Sequence, residues 1–155
     1  MFTLFFAIFF WFTIALKVLG WLCAKPKRRS FLNDTIQQVT LCQKTTISHD
    51  TVLLRFHLPD QQHLGLPIGK HLIFYGDNKQ GEIKKEWNGR PDCELDKATI
   101  QRQYTPITLD KNTVGYFEVL IKLYQTNAFY IDGGKMSHFL GNLKPGDTIQ
   151  IRGPV

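Results

Sequence analysis

The sequence predicts a mainly β domain, a closed or nearly closed antiparallel barrel of six strands with one short helix, behind a single N-terminal transmembrane helix. Three observations carry this. Short segments with apolar residues at every second position recur between Gly, Pro, Asn and Asp clusters, which is the signature of half-buried strands joined by turns. Only one short helical pattern occurs, so no crossover helices are available to build a parallel sheet. The chain of 155 residues opens on an apolar run followed directly by a basic cluster.

From Phe2 to Ala24 the run carries Lys17 as its sole charge, and Lys25, Lys27, Arg28 and Arg29 follow it. At 1.5 Å per residue it would make roughly 34 Å of helix, enough to cross a bilayer core of about 30 Å. A secretory signal peptide would place its basic residues before the apolar core, and here the order is reversed. Positive residues after the span hold that side in the cytosol. The reading is a membrane anchor at 1–24, a basic linker at 25–34, and a domain at 35–155 facing the cytoplasm.

Within the domain, Thr35 to Lys44 reads as the first strand, and His49-Asp50 as a turn. Thr51 to Leu58 alternates cleanly, with Val52, Leu54, Phe56 and Leu58 on one face. His71 to Tyr75 and the stretch from Gln101 to Pro106 are the third and fourth strands. Gly115 to Tyr124 is the strongest strand signal, with Phe117, Val119, Ile121 and Leu123 on one face and Glu118, Leu120, Lys122 and Tyr124 on the other. Ser137 to Leu143 reads as a short helix with Ser137 as N-cap, and Thr148 to Arg152 is the last strand. Between strands, residues 76–98 hold eleven charged side chains of twenty-three, five basic and six acidic. Such a stretch reads as a solvated, flexible insertion with a contact through Trp87, and its mixed charge argues against an anion site.

The net charge of +6 does not mark a nucleic-acid binder. Five of nineteen basic residues lie in or beside the apolar run, leaving fourteen basic against thirteen acidic from Ser30 onward. The excess suits an anionic membrane surface instead. Cys23, Cys42 and Cys93 lack metal-ligand spacing, and no pair among His49, His57, His63, His71 and His138 has the helical spacing that converges on an ion; no metal site is expected.

Two stretches carry the chemistry. Arg102 and Tyr104 lie two apart and share a strand face, where a guanidinium can take a phosphate and a phenol ring can lie against a flat ring system; Thr105 can bond a ring heteroatom, and Pro106 ends the pairing. Gly133-Gly134-Lys135-Met136-Ser137 brings a close-approaching backbone and a lysine to a helix start, a place for a pyrophosphate. Lys122 beside Tyr124 makes a further wall.

The wording Arg102-x-Tyr104-Thr105-Pro106, Leu120-x-Lys122-x-Tyr124 and Gly133-Gly134-Lys135-Met136-Ser137 closely resembles the flavin-binding domain of the ferredoxin reductase superfamily, in its NADH-cytochrome b5 reductase branch. Gly65 to His71 and Gly146 to Pro154 resemble family segments around the barrel. The resemblance covers about Thr35 to Val155 and implies a six-stranded Greek-key barrel holding FAD. It implies that Arg102 and the Lys135 to Ser137 helix start hold the pyrophosphate, that Tyr104 packs on the isoalloxazine, and that Thr105 hydrogen-bonds near the flavin N5, which accepts hydride. Gln103, Leu120, Lys122, Tyr124, Gly134 and Met136 complete the expected cofactor set. The resemblance further implies NADH as reductant, cytochrome b5 as electron acceptor, and the endoplasmic reticulum or mitochondrial outer membrane as location. Two departures accompany it: the 76–98 insertion falls where a tight connection is usual, and the chain ends where the family continues into an α/β nicotinamide domain. The competing reading is a membrane-tethered flavin- or nucleotide-binding module without redox turnover.

Overall fold

The computed structural model describes residues 29–59 and 62–155. In chain order the elements are β1 (Gln37–Ser48), β2 (Thr51–His57), β3 (Leu72–Asp77), β4 (Glu86–Trp87), β5 (Arg90–Pro91), β6 (Thr99–Tyr104), β7 (Tyr116–Lys122), α1 (Lys135–Asn142) and β8 (Thr148–Arg152). The fold is mainly β with one short helix. Six strands form one antiparallel sheet in the order β6-β3-β8-β1-β2-β7, and β4 and β5 form a separate hairpin. Beyond β6 the chain reaches the far edge of that sheet, where the Ile107 amide donates to the Glu118 carbonyl at 2.9 Å. The Glu118 amide in turn donates to Thr108 Oγ1. The expected anchor at 1–24 lies outside the described residues; among those described, no helix is long and apolar enough to cross a membrane.

Period-2 alternation builds the core. Val52, Leu54 and Phe56 from β2 and Phe117, Val119 and Ile121 from β7 point inward, paired residue by residue as Val52 with Ile121, Leu54 with Val119 and Phe56 with Phe117. Phe56 stacks on Phe117 with centroids 5.2 Å apart and meets the edge of Phe74 at 5.7 Å. On the outer face Arg55 opposes Glu118, with Nη2 2.7 Å from Oε1 and the guanidinium 4.4 Å from the Tyr116 ring centroid. At the β1–β2 turn Asp50 accepts from Ser48 Oγ and Thr51 Oγ1, and these bonds, joined by one to Lys122, hold its carboxyl at about 2.

α1 starts two residues earlier than the sequence predicts. Gly134, not Ser137, is the N-cap. The reason is tertiary: the Gly134 amide donates to the Tyr124 carbonyl at 2.9 Å, which anchors the turn to the end of β7. Ser137 instead lies inside the first turn, donating to the Gly134 carbonyl and accepting from the Tyr124 amide at 3.2 Å.

The helix then lies over β3 at Gly76. A Cβ there would stand 2.7 Å from a ring carbon of Phe139 and 3.0 Å from the Met136 sulfur. Gly76→Ala is therefore expected to push α1 off the sheet and cost about 1–3 kcal/mol, read as a lower urea midpoint with an unchanged slope.

Candidate functional site

A cleft of about 820 Å³ opens between β6, the end of β7, the start of α1 and the β4–β5 hairpin. β6 contributes Arg102, Gln103 and Tyr104, β7 contributes Lys122 and, just past its end, Tyr124, and the helix start contributes Gly134, Lys135, Met136 and Ser137. Two expected members stand outside its lining. Thr105 is exposed one residue beyond β6, and Leu120 is on the outer face of β7, 47% exposed. The ring of Tyr104 packs at 5.2 Å on Phe74, and burial pushes its phenol up.

α1 meets the cleft without a side-chain cap and with no acidic residue in its first turn. Its leading N–H groups have no intrahelical acceptor, and the helix dipole makes that end favourable for an anion. Among the described residues, no group of three or more His, Cys, Asp or Glu is arranged to hold a metal ion.

The two cations expected to be free for a phosphate are engaged. Lys135 Nζ lies 2.8 and 2.7 Å from the two carboxylate oxygens of Asp92 and 3.1 Å from Asn78 Oδ1. The pair is buried, with side chains 5% and 4% exposed. Arg102 makes a two-pronged contact with Glu94, Nη1 to Oε1 at 2.9 Å and Nη2 to Oε2 at 2.7 Å. Lys122 faces Asp50 at 3.3 Å. Lys135 thus acts through its ion pair, and what it leaves for a ligand is its backbone amide.

Both carboxylates come from 76–98, so the expectation of a flexible insertion is corrected. Asn88 and Gly89, with φ of 52° and 70°, form the two-residue turn between Trp87 and Arg90. This left-handed pair matches the right-handed twist of a hairpin. Trp87 Nε1 and Asn88 Nδ2 both donate to the Gly133 carbonyl at 2.9 Å, Asn88 Oδ1 accepts from the Asp132 amide, and Asp132 accepts from the amides of Glu82 and Asn88 at 2.6 Å each. Lys135 Nζ sits 4.8 Å over the Trp87 ring. Within the sequence the Asn-Gly pair was the available signal for this hairpin. The surrounding charge, read as solvation, concealed it.

The carboxyls of Asp92 and Glu94 are held below the usual range, chiefly by hydrogen bonds from Lys135 and Arg102 respectively. Because these folded-state values lie below the unfolded ones, the stability they contribute is fully present above the unfolded range near pH 4 and is lost as pH falls through the folded values. Urea titrations are expected to show a falling midpoint below about pH 4, with a shallower fall in Asp92→Asn.

The chain belongs to the oxidoreductase FAD-binding domain family, whose pattern matches residues 38–88 and 91–155. NADH-cytochrome b5 reductase 2 of Danio rerio is 34% identical over 148 residues, covering 90% of this chain and 42% of the relative. NADH-cytochrome b5 reductase 1 of Bos taurus is 37% identical over 120 residues, 76% of this chain and 33% of the relative. Among solved structures, the cytochrome b5 reductase domain of Ulva prolifera nitrate reductase aligns with a TM-score of 0.65 at 34% identity, over 82% of this chain and 44% of that one. The chain therefore spans less than half the length of each of these relatives. FAD suits the site already described: an uncapped helix start for its pyrophosphate and Tyr104 for its ring.

Proposed function

We propose that this chain is the FAD-binding portion of an NADH-cytochrome b5 reductase type oxidoreductase, which passes electrons from NADH through FAD to cytochrome b5. The observation that carries it is the juxtaposition in one cleft of Tyr104 on β6, Tyr124 after β7 and the uncapped start of α1. FAD supplies, when bound, the two-electron acceptance and one-electron release that protein side chains lack.

The chain's own residues bind and orient. The amides of Lys135 to Ser137 offer donors to the pyrophosphate, and the pairing of Lys135 with Asp92 keeps that helix start in register with the hairpin. Tyr104, held from behind by Phe74, offers a ring face. Thr105, just past β6, and Leu120 on β7 are proposed to meet the ring edge, with the Thr105 hydroxyl directed to the flavin N5. Lys122 and Tyr124 line the ribityl side. The same proposal takes the six-stranded sheet as a Greek-key barrel closing between β6 and β7, as the Ile107 to Glu118 bond supports. It also takes residues 1–24 as a single-pass anchor that holds the domain on the cytoplasmic side of the endoplasmic reticulum or mitochondrial outer membrane, for which the charge order of the first 29 residues speaks.

The test uses the full 155-residue chain in detergent micelles, titrated with FAD and followed by quenching of flavin fluorescence. Saturable quenching is expected. Photoreduction of the bound flavin, followed by cytochrome b5, separates electron transfer from binding alone: reoxidation of the flavin with appearance of the reduced haem band supports the reductase reading, and stable FAD binding without it favours a binding module.

A further inference from the structure

The hairpin that the structure folds over the cleft brings a cation that none of the family motifs contains. Trp87 and Arg90 are direct cross-strand partners flanking the Asn88-Gly89 turn, which puts their side chains on one face of the hairpin, and both line the cleft. The family pattern is interrupted at residues 89 and 90, so the likeness to relatives assigns Arg90 nothing.

Charge inside the cleft points to its role. Four basic side chains line it, and three are matched: Lys135 by Asp92, Arg102 by Glu94 and Lys122 by Asp50. Among the described residues lining the cleft, Arg90 is the one basic side chain without a carboxylate partner; it is exposed and its planar fork is unengaged. A pyrophosphate brings two negative charges into this space and needs a donor fork not already closed on a carboxylate. Arg102 has both terminal nitrogens on Glu94. The hairpin cannot swing away freely, because its Asp92 is buried against Lys135 and its Trp87 is bonded to the Gly133 carbonyl.

We propose that residues 76–98 are a built wall of the cofactor site, clasped to it by Asp92 and Glu94, and that Arg90 is the side chain this wall offers to the cofactor's pyrophosphate. This rests on the FAD reading above and extends it to a residue outside the motifs. The wall makes the site selective for a flavin that carries phosphate.

The experiment compares the full chain with Arg90→Gln, Arg90→Lys and Lys84→Gln, using FAD and riboflavin as probes. Lys84 is in the same segment and exposed, so its substitution changes the overall charge equally without touching the cleft. Loss of one charge-assisted contact is expected to weaken FAD about tenfold or more in Arg90→Gln, with Lys84→Gln within twofold of the parent and Arg90→Lys between them. Riboflavin, which has no phosphate, is expected to bind the parent and Arg90→Gln alike. Equal FAD affinity in Arg90→Gln and Lys84→Gln would overturn the assignment of Arg90 while leaving the FAD reading intact. An equal loss for riboflavin and FAD would also overturn it, by showing that Arg90 acts on the fold. Failure of the parent chain to bind FAD at all would overturn both.

Discussion

Lys135→Met is expected to lower the stability of the domain by about 3–5 kcal/mol, because it leaves Asp92 as an uncompensated charge in a site where its side chain is 4% exposed. The loss is not that of an ordinary lysine contact. Asp92 accepts both of its short bonds from this one ammonium, with a further bond from the Glu94 amide, and burial denies it water. The double variant Lys135→Met/Asp92→Leu is expected to recover much of the loss, since two apolar side chains of similar size remove the desolvation cost together. Urea midpoints of the two singles and the double measure this coupling. A Lys135→Met variant as stable as the parent would mean that the hairpin is not clasped to α1.

Arg102→Ala is the second large effect, and it falls on binding. Removal of this guanidinium bares Glu94 beside the site proposed for the pyrophosphate, so an attractive group is lost and a repulsive one uncovered. A bared carboxylate roughly 6 Å from a phosphate charge repels it by about 3 kcal/mol at an effective dielectric of about 20, so FAD affinity is expected to fall about a hundredfold, far more than in Lys84→Ala. Arg102→Ala/Glu94→Gln is expected to regain part of that affinity because the exposed carboxylate is gone. Fluorescence titrations of the parent, both singles and the double separate the direct contribution of Arg102 from its neutralisation of Glu94. Equal FAD affinities in Arg102→Ala and Lys84→Ala would contradict this site.

Which parts of the molecule could be read in advance follows from how local their causes are. β8 spans the residues its alternation predicts, and β2 and β7 differ from expectation only at their ends, because burial of one face writes a period of two into the chain. β1 runs on to Ser48 although Thr45, Thr46 and Ser48 show no apolar alternation; pairing with Leu53, Val52 and Thr51 of β2 holds that end extended. The start of α1 differs from expectation because serine is a favoured N-cap, whereas the actual boundary is set by a bond to Tyr124, ten residues earlier.

The site divides in the same way. Arg102, Tyr104 and the glycine pair could be found because their chemistry lies within a few residues. The clasps could not. Asp92 and Lys135 are 43 residues apart, and Asn88 and Gly133 are 45 apart, so nothing in either neighbourhood signals that they meet. Mixed charge along 76–98 describes a solvated loop equally well as a hairpin whose carboxylates are matched by distant cations.

A structure of the full chain determined with FAD is the most direct test of this account. It predicts the pyrophosphate within hydrogen-bond reach of the Lys135 to Ser137 amides and the Arg90 guanidinium, with the ring system against Tyr104 and the Lys135–Asp92 pair intact. Flavin seated elsewhere, or a hairpin displaced from the cleft with Asp92 released from Lys135, would contradict it.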